Sequence, residues 1–144
     1  MMLPSLDLRW IARQDVTIPI PPIHFSDTSD LTYYARPRKQ QSVWVLDGKE
    51  FDPRRGLIVI NASFWTETRE LGNVIAHEWR HCWQTYHGWD FTTYRPWQST
   101  HPTLSYEDRV RVYYRQPAEY DALQFSQRHA PSPLAEWDWD LTHR

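Results

Sequence analysis

The most informative segment of the sequence is VIAHEWRH, residues 74–81. It belongs to a run in which apolar residues recur with the 3.6-residue period of an α-helix, and the run ends at Gly88, a common helix stop. His77 and His81 are four residues apart, so on a helix their side chains project from one face, one turn apart. Two imidazoles so placed can bind one metal ion, and Glu78 beside them can reach a water molecule on that ion. The stretch therefore predicts a helix that carries a metal site.

The residues before this helix predict β structure. Residues 43–51 contain two β-forming runs around Asp47-Gly48, a pair typical of a tight hairpin turn. A second turn is predicted at residues 53–56, and the Leu-Ile-Val-Ile run at residues 57–60 is strongly β-forming. Together with the helix, these segments predict an α+β fold in which a small sheet packs on the metal-bearing helix.

The remaining elements are predicted from capping residues and proline positions. The metal-bearing helix is expected to begin at Thr66, a residue type that commonly caps helix N-termini. Residues 89–104 are typical of a loop. Residues 105–114 fit either a capped helix or a strand, because some of their apolar side chains alternate. A further helix is predicted to begin at Pro117 and to run towards Gln127.

Length and composition predict one domain over residues 1–144. Residues 1–40 are rich in proline and are expected to form an extended arm, and residues 131–144 form an acidic tail with tryptophans. The single cysteine, Cys82, excludes an internal disulfide and cysteine-rich zinc sites. The net charge of -2 does not favour nucleic acid as a partner. Without a long apolar run or a signal-like start, we expect a soluble, cytoplasmic protein that does not bind membranes.

The sequence resembles a known family in two places. The His-Glu-x-x-His pattern on a helix that follows a β-strand is similar to the zincin metallopeptidases. Downstream, PAEYDA at residues 117–122 resembles the gluzincin branch, which takes its third metal ligand from a glutamate on a later helix. That branch includes the very small minigluzincins and compact proteins of phages and bacteria. The resemblance covers roughly residues 57–127. It implies a zincin-like fold with a small mixed or antiparallel sheet, an active-site helix and a second, ligand-bearing helix.

The resemblance also implies a ligand set and a reaction. One Zn²⁺ per chain would be held by His77, His81 and Glu119, and Glu78 would act as the general base in peptide hydrolysis. The gluzincin pattern Glu-x-x-Ala is met by Glu119 and Ala122. In its stricter form an aspartate follows the glutamate by four residues, and this chain has leucine there.

Other residues compete for these roles. His87 reproduces the third-ligand spacing of the metzincins, but Gln84 stands where those proteins have a glycine that turns the chain, and the methionine of their characteristic turn is also missing. His101, in the predicted loop, is another alternative ligand. Asp121 lies two residues after Glu119, so its role in orienting a histidine ligand stays open.

A peptidase also needs a donor for the developing oxyanion and a surface that binds the substrate. The run at residues 57–61 resembles the edge strand that pairs with extended substrates in zincins; its alternative is an ordinary inner strand. The sequence does not choose among four candidate donors, which are Tyr113, Tyr114, Arg115 and His101.

Three functional hypotheses follow from the residues and the resemblance. The first is a zinc-dependent peptidase that acts on a peptide or protein substrate. The second is a latent or inactive zincin-fold protein that serves as a zinc-containing binding module, with the proline-rich arm or the acidic tail covering its cleft. The third is a structural protein without metal, in which the motif is accidental.

Overall fold

The computed structural model of the protein describes residues 17–39, 42–61, 68–100 and 103–144. These residues form a mixed α+β fold, as predicted. Short 3-10 helices occur at Pro53–Arg55 and Trp97–Ser99. In chain order the strands and α-helices are β1 (Ile23–Ser26), β2 (Tyr33–Ala35), β3 (Trp44–Leu46), β4 (Lys49–Phe51), β5 (Leu57–Asn61), α1 (Thr68–Tyr86), α2 (Tyr106–Tyr114), α3 (Pro117–His129) and α4 (Pro133–Thr142).

The main sheet has three strands with β5 in the centre. β1 pairs with β5 in parallel, and β2 pairs with the other side of β5 in an antiparallel register. The interpretation of residues 57–61 as an edge strand is therefore wrong, because both sides of β5 are occupied. The physical reason is visible in the sequence: residues 57–60 are all apolar and fully buried, which is typical of a strand covered on both faces.

The expectation of an extended arm over residues 1–40 is wrong for residues 23–35, which supply the two outer strands. β1 begins directly after Pro21-Pro22, a position where proline costs the ladder no hydrogen bond, and the Pro22 carbonyl accepts the Ile58 N–H at 2.9 Å. The strands have four and three residues, too short to show a period. Residues 1–16 of the predicted arm lie outside the described residues.

Both predicted turns are confirmed. Asp47 and Gly48 have positive φ angles of 51° and 75°, as the tight hairpin turn between β3 and β4 requires. The second turn ends at Gly56, whose φ is 69°. A Cβ at Gly56 would lie 3.0 Å from the Ala35 carbonyl oxygen, so glycine lets this turn pack directly against β2.

The core lies between the sheet and α1. Ile58 and Ile60 of β5 pack against Leu71 and Ile75 of α1. Trp79, inside the quoted stretch, is 1% exposed, and its ring lies 5.5 Å from the ring of Phe125 on α3. Trp79 therefore joins α1 to both of its neighbours, the sheet and α3.

The ends of the helices agree with their capping residues where these are described. α1 ends at Tyr86, just before Gly88, whose φ is 74°. Its predicted start at Thr66 lies outside the described residues. Residues 105–114, for which the sequence allows a helix or a strand, form a helix. Ser105 caps it, because its Oγ accepts the Asp108 N–H at 3.2 Å. α3 begins at Pro117 as predicted.

The acidic tail is a packed helix, so its description as a tail is wrong. Ser132 caps α4, and Glu70 of α1 accepts the backbone N–H of Leu134 at 3.1 Å. Ala135 and Leu141 are buried where α4 packs against the other helices. Within the described ranges, we find no helix with the length and apolar character needed to cross a bilayer.

Replacing Trp79 with alanine should destabilise the fold strongly. The change leaves a cavity between the sheet, α1 and α3, for which we expect a loss of about 3–5 kcal/mol in the free energy of unfolding. Chemical denaturation monitored by circular dichroism measures this loss. Trp137→Ala is the matched control, because Trp137 is 47% exposed and should lose far less. Equal losses in the two variants would contradict the position of Trp79 in the core.

Candidate metal centre

Helices α1 and α3 bring the three predicted ligands together. His77 Nε2 lies 2.8 Å from Glu119 Oε1, and His81 Nε2 lies 2.9 Å from Glu119 Oε2. The ligand atoms of the three side chains are all within 4.8 Å of one another. Glu119 comes from the first turn of α3 and is 0% exposed. This His-His-Glu group can hold a metal ion.

Electrostatics and donor chemistry agree with that role. Burial alone would raise the pKa of Glu119, but His81 and then His77 hold it well below its usual value. Burial alone would lower the pKa of His81, yet the Glu119 carboxylate raises it to about 10. Two imidazole nitrogens and one carboxylate oxygen that converge are a three-ligand set typical of catalytic zinc, which leaves a fourth position for water or substrate. The residues present therefore fit a divalent ion.

Glu78 lies beside the group and is 8% exposed. Its burial raises the pKa to about 7, although His81 and His77 act in the opposite direction. The backbone N–H of Tyr34 donates a hydrogen bond to the Glu78 carboxylate. Since Tyr34 belongs to β2, this bond places the outer edge of the sheet next to the candidate general base.

Glu78 lines two neighbouring cavities. The first, of about 350 Å³, is lined by His77, Glu78 and residues of α4; the second, of about 340 Å³, by Glu78, His81 and the aromatic rings of Phe91 and Tyr94. Both include Thr32, just before β2. The two cavities therefore share a border at Glu78 and Thr32, and we call the pair the groove.

The two ends of this groove differ in charge. Besides Glu78, the first cavity is lined by three carboxylates, those of Asp30, Glu70 and Asp138, and none of the described residues that line it is a lysine or arginine. The second cavity includes Arg36. Burial and the nearby Glu70 raise the pKa of Asp138 to about 6, so it is ionised at neutral pH.

The candidate oxyanion donors have different positions. The Tyr114 ring is 6.2 Å from the His77 ring, its hydroxyl bonds to Asp138, and it lines the first cavity. The Tyr113 hydroxyl lies 3.1 Å from the Tyr94 hydroxyl. Arg115 is not at the site, because its guanidinium donates to the carbonyls of Thr142 and Arg144 at the C-terminal end. His101 lies outside the described residues.

His87 is not part of the ligand group. Its ring packs on Trp83 at 4.2 Å, and its backbone N–H bonds to the Trp83 carbonyl, so the helix continues without the turn that a third ligand there would need. The described cluster contains Glu119 instead. Of the two alternatives within the described residues, the geometry favours Glu119.

Sequence reasoning missed Tyr94. Its hydroxyl donates to Glu119 Oε2 at 2.5 Å, on the side of the carboxylate that faces His81. Tyr94 comes from the loop after α1, and no spacing rule connects it to Glu119, which is 25 residues away. The aromatic richness of that loop was the only signal available in the sequence.

Comparison of the chain with known proteins found no matching family model, no matching curated protein and no matching solved structure. A functional assignment therefore depends on the geometry of the site.

Metal analysis should separate the two candidate third ligands. The wild-type protein, dialysed against trace zinc, is expected to retain about one zinc per chain. Glu119→Ala and the double variant His77→Ala/His81→Ala should lose that zinc, and His87→Ala should keep it. Plasma mass spectrometry of the dialysed proteins gives the stoichiometry. Zinc retained by Glu119→Ala and lost by His87→Ala would contradict the assignment.

Proposed function

We propose that the protein is a zinc-dependent peptidase with a zincin-like, gluzincin-type site. His77, His81 and Glu119 hold one Zn²⁺, and Glu78 is the general base. The observation that carries this proposal is the position of Glu78: it is buried next to the ligand group and lines both cavities of the groove. A purely structural metal site needs no base between two cavities.

The chemistry requires a proton acceptor of the right strength. When bound, zinc would lower the pKa of the water molecule on it and would polarise the substrate carbonyl. Glu78 takes the proton of the attacking water and returns it to the nitrogen of the leaving amine. Its pKa of about 7, raised by burial, suits both transfers near neutral pH.

Tyr114 is our choice for the oxyanion donor. It lines the first cavity next to His77, and burial holds its pKa well above 10, so its hydroxyl stays protonated. The hydroxyl bonds to Asp138 in the free protein and would turn from that carboxylate to the oxyanion during the reaction. Tyr94 has a different role, since its hydroxyl is committed to Glu119 and orients that carboxylate.

The outer edge of β2, which pairs with no other strand among the described residues, is the proposed binding surface for the substrate main chain. β2 is an outer strand of the sheet, and its Tyr34 N–H points to Glu78 rather than to β5. An extended peptide can add to such an edge through main-chain hydrogen bonds, which give affinity without sequence specificity. Specificity then comes from the two cavities along the groove.

Replacing Glu78 with glutamine should abolish cleavage and leave the metal in place. The amide keeps the size of the side chain but cannot accept the water proton, so we expect at least about a 100-fold loss of activity. The assay is hydrolysis of casein by the zinc-loaded protein, with zinc content measured in parallel. Glu50→Gln, on the exposed β4 strand, is the matched control.

Two outcomes would contradict this proposal. Full activity in Glu78→Gln would exclude Glu78 as the base. Zinc binding by a wild-type protein that cleaves no unstructured substrate would leave only a binding role.

Peptides with a basic side chain next to the cut bond should be preferred. The carboxylates of the first cavity attract a cation, and Arg36, the one lysine or arginine in the described lining of the two cavities, lies in the second. For lysine against norleucine we expect kcat/KM to be higher by about 10-fold, equal to one tenfold step of 1.4 kcal/mol. Asp138→Asn should reduce that ratio, and Asp140→Asn, on the exposed side of α4, should not. An unchanged ratio in Asp138→Asn would contradict the role of the acidic cavity.

A further inference from the structure

A chain of hydrogen bonds lies behind the second histidine. His81 Nδ1 is 2.8 Å from Gln84 Oε1. Gln84 Nε2 donates to the Ala118 carbonyl at 2.8 Å and to Asp121 Oδ2 at 2.9 Å. Asp121 in turn accepts two bonds from Arg80, at 2.7 Å from Nε and 3.2 Å from Nη2. This hydrogen-bond chain therefore runs from Arg80 through Asp121 and Gln84 to His81, and it joins α1 to α3.

The acceptors on α3 determine which way the Gln84 amide faces. Gln84 is 0% exposed, so its polar atoms must find partners within the protein. A backbone carbonyl and a carboxylate can only accept, so the end of the amide that faces Ala118 and Asp121 must be the NH₂ group. Oε1 is then the atom that faces His81. Because Oε1 can only accept, Nδ1 of His81 must carry a proton.

This orientation has a direct consequence for the ligand group. A histidine that is protonated on Nδ1 can coordinate a metal only through Nε2, and Nε2 is the atom that faces Glu119. Hydrogen bonds of this kind fix the tautomer and the ring orientation of a metal ligand. The hydrogen-bond chain therefore sets the orientation of the His81 ring already in the metal-free protein.

We propose that Gln84 and Asp121 are positioning residues of the metal centre, which hold His81 with Nδ1 protonated and Nε2 directed at the ion. The proposal rests on the proposed metal site but not on peptidase activity. Asp121 acts through Gln84, and not by direct contact with a histidine. Gln84 also has a second effect, since a side chain at this position lets α1 continue to Tyr86.

Arg80 keeps Asp121 in place. Its guanidinium makes a two-point contact with the carboxylate and stacks over the Trp83 ring at 3.7 Å, with the Phe125 ring at 4.8 Å. The guanidinium is planar, so the stacking and the two-point contact hold it in one orientation. Asp121 is thereby fixed as an acceptor for Gln84.

A merely structural role would have different consequences. If the hydrogen-bond chain only clamped α3 to α1, its loss would lower the stability of the metal-free protein and leave the His81 tautomer unchanged. The test therefore measures zinc affinity by competition with a chromophoric chelator, and the tautomer by ¹⁵N-histidine NMR of the zinc-loaded protein.

Gln84→Leu should weaken zinc binding by about 10- to 100-fold, the usual effect of losing a residue that orients a ligand. Asp121→Asn should weaken it by a smaller factor, because the Gln84 carbonyl remains. The double variant should lose no more than Gln84→Leu alone, since both residues act through one path. Gln124→Leu, on the exposed side of α3, is the matched control and should bind zinc like the wild type. If Gln84→Leu does not fold, Asp121→Asn still provides the test, because the Asp121 side chain is partly exposed and its replacement disturbs the core less.

The NMR signals give an independent result. In the wild type, the His81 Nδ1–H should be protected from exchange, and in Gln84→Leu this protection should be lost. Unchanged zinc affinity and a protected Nδ1–H in Gln84→Leu, or additive losses in the double variant, would overturn the proposal. A wild type that binds no zinc would instead refute the metal site, so the two failures are distinguishable.

Discussion

The site depends on one buried carboxylate. A carboxylate removed from water is stable only next to positive charge, hydrogen-bond donors or a metal ion, and Glu119 is 0% exposed. Its partners are His77 and His81, one helical turn apart on α1. These contacts require α3 to approach α1 closely, which the small, buried Ala118 and Ala122 allow. The packing of the two helices and the chemistry of the site are therefore one constraint.

The parts of the fold that local sequence determines were predicted correctly. The hairpin at residues 43–51, the β-forming run before α1 and the start of α3 at proline each depend on a few adjacent residues. The two outer strands were not predicted, and the central place of β5 was only the alternative to an edge strand. Strands of three or four residues carry too little pattern, and their pairing depends on partners distant in the chain. Helix α4 is the exception among the locally determined elements, because its start carries local signals, Ser132 as the N-cap and Pro133 at the first helical position, that were overlooked.

The site divides in the same way. The spacing of His77, Glu78 and His81 is a local property of one helix, so the sequence alone indicated all three. Glu119 required a family resemblance, because nothing local relates it to residues 42 positions away. Tyr94 and the part that Gln84 plays behind His81 could not be found at all, since both follow from tertiary contacts. From the sequence alone, Gln84 is notable only as the residue at the position of the metzincin glycine.

The most direct test of the central claim is a crystal structure of the zinc-loaded protein with anomalous diffraction data collected on both sides of the zinc absorption edge. We expect one anomalous peak within coordination distance of His77 Nε2, His81 Nε2 and the Glu119 carboxylate, at about 2.0–2.2 Å from each. A peak coordinated by other side chains, or no peak between these two helices, would contradict the central claim.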